Sequence, residues 1–354
     1  MIDIQQNSPI ELLQNLGIWK SGEHIIHTEV PGESNMNLVL RIKTNLGSYI
    51  LKQSKPFVRK YPQIPAPISR IEVEYRFLTL LNRNPYLASH SPKVLHYDSQ
   101  AHLMLLEDLG EGSDFLPLYG GIRQLQTNEL IHLVEYLMQL HQVQVSDFPD
   151  TAGMRTLNHE HIFEFPFLEE NGFDLDQIQP GLQESSLPYK RDAALKAKIH
   201  SLGQHYLKTG KTLIHGDFYP GSWLEVASGI KIIDPEFGGL GDPEFDLGVL
   251  IAHLDLTQQD PRVAQLVQTT YTLPQDWDLV QQYRGVELLR RLIGIAQLPV
   301  TLTLDEKKSL LKCNSEISQN RAKYWTWLGC CWRSYFSFSS CFANRNCKFR
   351  NLPH

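Results

Sequence analysis

The chain has 354 residues, 42% hydrophobic and 20% charged, with a formal net charge of −6. This length and balance suit a soluble enzyme of two lobes, each with its own core, and the acidic excess argues against nonspecific nucleic-acid binding. No basic and apolar leader opens the sequence and no apolar run approaches bilayer length, so a cytoplasmic protein with no membrane or nucleic-acid partner is expected.

His27–Val30, Asn37–Lys43 and Ser48–Gln53 read as strands separated by the turns Pro31–Asn35 and Asn45–Gly47, a small antiparallel sheet over residues 24–53. Lys55–Pro67 holds four prolines and is predicted to be an irregular loop. A helix is predicted over about Ile68–Asn82, with Ile71, Tyr75 and Leu78 on its apolar stripe. Glu74 lies on that stripe, whereas Glu72, Arg76, Thr79 and Arg83 share the opposite face, so Glu74 is the inward-facing acid. Strand signals at Lys93–Tyr97 and His102–Leu106 run into Glu107–Gly112, a change from sheet to loop that marks a hinge.

Past the hinge the chain turns mainly helical. Helices are predicted over Gln124–Val143, Tyr189–Leu207, Leu247–Leu254 and Gln281–Ala296, and Phe163–Phe167 with its surroundings reads as an insertion that could cover a substrate. The architecture expected is α+β: a bilobal, protein-kinase-like fold with a β-rich N-lobe (1–108) and a mainly helical C-lobe (109–320). All five cysteines, Cys313, Cys330, Cys331, Cys341 and Cys347, fall in the last 42 residues. A disulfide framework for the main fold is therefore excluded, and the spacing gives no paired zinc motif. After Glu316 there are six Lys or Arg and no acid, and Tyr324–Phe336 is crowded with aromatics without a period. Residues 321–354 are expected to lie outside the fold.

The chemistry concentrates in Leu213-Ile-His-Gly-Asp217 and Ile232-Ile-Asp-Pro-Glu236. Two apolar strands, Thr212–Ile214 and Ile230–Ile233, joined by a tight hairpin, are predicted to deliver three carboxylates to one sheet edge. One acid can face a hydroxyl that must lose its proton while the other two hold a metal, the division of labour needed for phosphoryl transfer from Mg·ATP. Asp217 is the candidate catalytic base, with a turn-stabilising aspartate as the alternative. His215 is expected to brace the loop through a backbone bond, and Ser222 to support the loop or the metal. Asp234 and Glu236 suit Mg²⁺, a hard cation content with a few carboxylates, and Pro235 between them helps to aim both.

Lys52 ends a strand and could pair the α/β-phosphates, held by Glu74; a surface lysine is the alternative. Gly32, Ser34 and Asn37 sit in a loop between strands that could cover phosphates. Arg290 and Arg291 lie in a helix where neighbours point about 100° apart, so one should face inward toward an anion, unless both are surface residues. Asp246 precedes an apolar helix that it could cap, and is read as a structural tie between the acid-bearing loop and the helical lobe.

Taken together, Gly32-Glu-Ser-Asn-Met-Asn37, Lys52-Gln-Ser-Lys-Pro-Phe-Val-Arg59, Arg70 with Glu74, Glu107-Asp-Leu109, Gly221-Ser222, Asp234-Pro-Glu236 and Arg290-Arg-Leu-Ile-Gly294 resemble the aminoglycoside phosphotransferase and choline kinase superfamily. Within it the resemblance is to the 5-methylthioribose kinase family and spans about Gly32 to Pro299. It implies an ATP-dependent small-molecule kinase using Mg²⁺, with a hydroxyl of a sugar such as 5-methylthioribose as acceptor. It also implies that Glu107 and Leu109 meet the nucleotide, that the twin arginines serve the substrate and the transferred phosphate, and that the chain forms a homodimer. Phe218-Tyr-Pro220 departs from that family's Leu-His-Thr, beside the base and facing the substrate. Three rivals stand beside this reading. A protein kinase would need more than the nine residues Phe237–Phe245 for a peptide platform. A nucleotide-binding pseudokinase would be expected to lack one of Lys52, Glu74, Asp217, Asp234 and Glu236. An aminoglycoside- or choline-type kinase is disfavoured by Asp-Pro-Glu and the arginine pair.

Overall fold

A five-stranded antiparallel sheet forms the first part of the chain, in the order Ile25–Glu29, Leu38–Thr44, Ser48–Gln53, Leu103–Glu107, Val94–Asp98. The structure, a computed structural model, describes residues 3–32, 34–257 and 262–318, with side chains in the last stretch as far as 312. The strand Leu103–Glu107 is apolar at four successive positions because both of its faces are covered. Leu103 and Leu105 join Leu40, Ile42 and Leu51 on one face, closed by Ile4 and Leu13 from the N-terminal segment. Met104 and Leu106 face the other way, onto Ile71, Phe77, Leu78 and Leu81 of the helix Arg70–Leu81. That helix buries Glu74 and leaves Glu72 exposed, as its period predicts.

Two features of this part differ from expectation. The proline-rich stretch is not wholly irregular, since Phe57–Val58 and Tyr61–Pro65 pair antiparallel. Its prolines sit where no ladder donor is needed, as edge strands allow. A short helix, Pro85–His90, also follows Asn84, whose side chain accepts from the N–H groups of Tyr86 and Leu87; Asn followed by Pro is a helix-start signal.

The second part is mainly helical. Pro243–Leu256 is buried almost all round and crosses Trp277–Ile293 closely. A Cβ on Gly248 would lie 2.6 Å from Cβ of Tyr283, so only glycine permits that approach. The single helix expected over Tyr189–Leu207 is two, Leu182–Arg191 and Ala193–Tyr206. Asp192 divides them by accepting from the N–H groups of Ala194 and Leu195, which makes it an N-cap rather than an interior residue. The insertion around Phe163–Phe167 is a helical turn continuing from Ala152–His159. Phe163 and Phe167 pack into the core with Leu182 and Leu195, while Leu157, Asn158 and His161 reach the cleft described below.

The largest correction concerns the acid-bearing strands. Thr212–Ile214 does not pair with the strand before Asp234; it pairs with Gly239–Gly241. The hairpin is instead Trp223–Val226 with Gly229–Ile232, extended on its other edge by Gly112–Asp114 from just past the hinge. The two acid loops are drawn together by a bond from Ile233 N–H to the Ser222 carbonyl, 3.0 Å. Among the described residues no helix is long and apolar enough to cross a membrane. The expectations for residues 321–354 and for the cysteine side chains fall outside the described residues.

Candidate active site

Two adjoining cavities, about 520 Å³ and about 370 Å³, open between the sheet and the helical part and share Ser34, Val39, Lys52, Asp114, Gly221 and Asp234 in their walls. The larger runs back to the hinge at Glu107 and Leu109 and under Gly32. The smaller holds Asp217, Ser222, Glu236, Arg290 and Arg291.

At the junction, Lys52 projects from the central strand and donates to Oε1 of Glu74 at 2.6 Å, with Oδ1 of Asp234 on its other side. Lys52 and Glu74 are both buried. Burial opposes the lysine's charge, but Asp234 and Glu74 outweigh it and push its pKa up. Glu74 is shifted up by burial, with Lys52 acting against that shift. Its second oxygen, Oε2, is buried without a hydrogen-bond partner.

The loop expected to cover phosphates is placed differently along its length. Gly32 lines the larger cavity. Ser34 turns inward, its hydroxyl donating to the Asn37 carbonyl at 2.8 Å. Asn37 spends its side chain on protein: Nδ2 donates to Oε2 of Glu236 at 2.6 Å, and Oδ1 accepts from Ser54 and Arg70, each at 2.8 Å. Asn37 therefore ties the sheet to an acid of the other lobe. At the hinge the Glu107 carboxylate turns to Lys93 N–H, 3.3 Å. The shape is held by Asp108, which accepts from Arg41 and Gly110 N–H, while Arg41 also reaches the Gly110 carbonyl. Neither Arg41 nor Asp108 is singled out by sequence, although an acid two residues before glycine is a recognisable turn signal.

Asp246 organises the acid loop. It is fully buried and accepts from the N–H groups of His215 (2.7 Å) and Gly216 (2.9 Å), with Nε2 of His141 at 3.2 Å. It lies inside the first turn of Pro243–Leu256, where a carboxylate is favoured; the N-cap position belongs to Asp242. The tie to the helical lobe holds, and the capping role does not. Replacing Asp246 with alanine should lower stability by about 3 kcal/mol, because two buried N–H groups lose an anionic acceptor. Urea unfolding checks this, and an unchanged midpoint would contradict the role.

His215 bridges the two acid loops, as its neutral ring requires. Nε2 donates to the Ile233 carbonyl at 3.1 Å and Nδ1 accepts from Asp217 N–H at 3.3 Å, and burial lowers its pKa accordingly. Gly216 has φ +80°, and a Cβ there would sit 2.2 Å from the Phe237 carbonyl oxygen. The Ser222 hydroxyl donates to the Asp217 carbonyl at 2.9 Å, a loop-supporting bond. With its backbone pinned on both sides, Asp217 turns its carboxylate to the cavity, where its ionic neighbour is Nη2 of Arg291 at 3.7 Å. Burial pushes the Asp217 carboxyl up, opposed by Arg291 and Arg290. Of Phe218-Tyr-Pro220, only Tyr219 lines this cavity. Phe218 is buried against Tyr136 and Trp223, and the Pro220 carbonyl accepts from Phe115 N–H.

Asp234 adopts φ +60°, a left-handed conformation uncommon for a non-glycine residue, and half of its side chain is open to the cleft. Burial, Asp234 and Glu74 together push the Glu236 carboxyl up to about 8. Lys52 and Arg70 oppose that shift only in part, so a further cation here would favour the ionised form of Glu236. The sequence expectation is that one of Arg290 and Arg291 faces inward, unless both are surface residues. Both instead direct Nε at one buried carboxylate, Glu287, three and four residues earlier on the same helix. Sequence reasoning missed Glu287, whose helical spacing to both arginines was the available signal.

The phosphotransferase enzyme family model matches residues 28–283 of this chain. A methylthioribose kinase of Pectobacterium carotovorum subsp. carotovorum (strain PC1) is 24% identical, covering 87% of this chain and 90% of its own length. One from Yersinia pseudotuberculosis serotype IB (strain PB1/+) is 26% identical, covering 86% and 87%. Among solved structures, LicA in complex with AMP shares the fold with a TM-score of 0.50 at 14% identity, covering 88% of this chain and 98% of that one.

Proposed function

Since the chain belongs to the phosphotransferase enzyme family, we propose that it transfers the γ-phosphate of ATP to a hydroxyl of a small uncharged sugar, 5-methylthioribose in the first instance. The observation that carries the acceptor class is the wall of the smaller cavity. Arg290 and Arg291 line it, and the Arg291 guanidinium lies 5.4 Å from the Tyr219 ring centroid. A quaternary ammonium or polyamine would need free carboxylates or an open aromatic face there. Around Asp217 it would meet two guanidiniums, one of them over the Tyr219 ring. The similarity to methylthioribose kinases over most of the chain supports the same acceptor. The link from Glu236 to the helix at Pro243 is taken up by the strand Gly239–Gly241, which leaves no platform for a peptide.

In this reading the purine lies along the hinge at Glu107–Leu109, and Lys52 meets the phosphates. Asp234 and Glu236 fit a Mg²⁺ site, because Mg²⁺ needs only one or two carboxylates beside phosphate oxygens and water; when bound it neutralises phosphate charge. Asp217 orients the acceptor hydroxyl and takes its proton as the oxygen bonds to the γ-phosphorus and the bond to ADP breaks. The Nη groups of Arg290 and Nη2 of Arg291, which lies 3.7 Å from Asp217, face the same volume and stabilise the anion in transit.

The test is a coupled ATP-consumption assay on a panel of 5-methylthioribose, ribose, choline and an aminoglycoside. The expected result is a kcat/KM at least about 10-fold higher for 5-methylthioribose than for either cation, equivalent to about 1.4 kcal/mol of transition-state preference. A higher value for choline or the aminoglycoside would overturn the acceptor reading.

A further inference from the structure

The arginine pair stands on a buried chain of groups that the reaction above does not use directly. Glu287, 1% exposed, accepts from Nε of Arg291 at 2.8 Å and from Nε of Arg290. It also faces Nε2 of His253 at 3.0 Å. His253 is fully buried on the neighbouring helix, and its Nδ1 meets the hydroxyl of Tyr119. A carboxylate offers no proton, so Nε2 must carry the hydrogen and Nδ1 must accept from Tyr119. The chain therefore has one direction: Tyr119 O–H to His253, His253 N–H to Glu287, and Glu287 holding two guanidiniums. Burial keeps His253 neutral, with a pKa lowered to about 4. Burial would raise the Glu287 pKa, but Arg290 and Arg291 hold it well below the ordinary range.

Resting on the phosphotransfer reading, we propose that Glu287 is a positioning residue that aims both guanidiniums at the transferred phosphate, and that Tyr119 and His253 fix its orientation. Each Nε is engaged by Glu287 and Nη1 of Arg291 by the Ala296 carbonyl at 3.4 Å, which leaves Nη2 of Arg291 within 3.7 Å of Asp217 and the Nη groups of Arg290 toward the cavity. The charges in this cluster balance at rest, two acids (Glu287, Asp217) against two arginines. When the acceptor oxygen loses its proton to Asp217, that carboxylate becomes neutral and one guanidinium charge is freed for the phosphoryl oxygens. Glu287 keeps its charge throughout, so the other arginine stays anchored.

The experiment compares the full-length wild-type chain with Glu287→Gln and Tyr119→Phe, using MgATP and 5-methylthioribose. Glu287→Gln keeps the shape but removes the anion, and kcat should fall by about 10-fold or more while KM for ATP stays within about twofold of wild type. Tyr119→Phe removes only the far end of the chain and should lower kcat by about threefold with the same ATP KM. A purely structural role would move thermal stability without this split between kcat and KM. A folded Glu287→Gln protein with wild-type kcat would overturn the proposal. If Glu287→Gln does not fold, Tyr119→Phe decides, and an unchanged kcat there overturns it. A wild-type chain inert toward 5-methylthioribose overturns the acceptor reading instead, and the variants are then compared on the panel acceptor that is phosphorylated. If none is phosphorylated, both proposals fall.

Discussion

Asp217→Asn is expected to reduce kcat by about 10²-fold or more while leaving MgATP affinity near the wild-type value. The substitution is nearly isosteric, and the backbone that presents it is held independently of the side chain. Its N–H is bound by His215 and its carbonyl by Ser222, and the preceding N–H groups are bound by Asp246. The loop should therefore keep its shape while losing its proton acceptor. The residues proposed to meet the nucleotide, Lys52, Glu74 and the hinge, lie in the other cavity or at the junction, so binding of ADP by calorimetry should change little. Sign matters for the pH profile. The base must be ionised to act, and burial raises the Asp217 pKa above that of an ordinary aspartate. Activity should therefore be lost as pH falls through a value raised above that of an ordinary aspartate, and that acid limb should be absent from the residual activity of Asp217→Asn. Retained turnover in the variant would place the base elsewhere.

Much of this site is legible in sequence where a local period or a short spacing carries the information. The inward position of Glu74 follows from its place on the apolar stripe of one helix. The strand ending at Lys52 follows from turn residues on either side. The parts that escape are non-local. Thr212–Ile214 and Gly239–Gly241 have no alternation to suggest that they pair, because a strand of Gly-Leu-Gly carries almost no side-chain pattern. Adjacency in the chain favours the wrong partner for Thr212–Ile214, the strand before Asp234. Asp192 looks like an interior residue of a long helix until its side chain is seen bound to the N–H groups ahead of it. Glu287 is the most instructive omission. A glutamate in a helix ordinarily faces water, and only the packing of Trp277–Ile293 on Pro243–Leu256 shows that its face is the inner one. Asn37 is named by its loop, but the direction of its amide is set by Arg70 and Glu236, 33 and 199 residues away.

Lys52→Met should lower kcat/KM for ATP by about 10²-fold, the effect of removing one preorganised charge from a phosphoryl site. Methionine fills nearly the same volume, so packing against the central strand survives and the loss isolates the charge. The same substitution should also make stability depend on pH. In the wild-type protein Lys52 neutralises a glutamate that burial already disfavours in its ionised form. Breaking such a pair can cost about 3–5 kcal/mol when the remaining charge stays buried. Glu74 can escape that cost by keeping a proton, so its pKa in the folded variant rises further above its unfolded value. A group with a raised folded-state carboxyl pKa makes the native state bind more protons than the unfolded state, and stability then falls as pH rises. The stability gap between wild type and Lys52→Met should therefore be small near about pH 5 and widen toward about pH 8, as measured by urea unfolding at both. A gap that stays constant across that interval would mean that Glu74 is not the partner whose charge Lys52 neutralises.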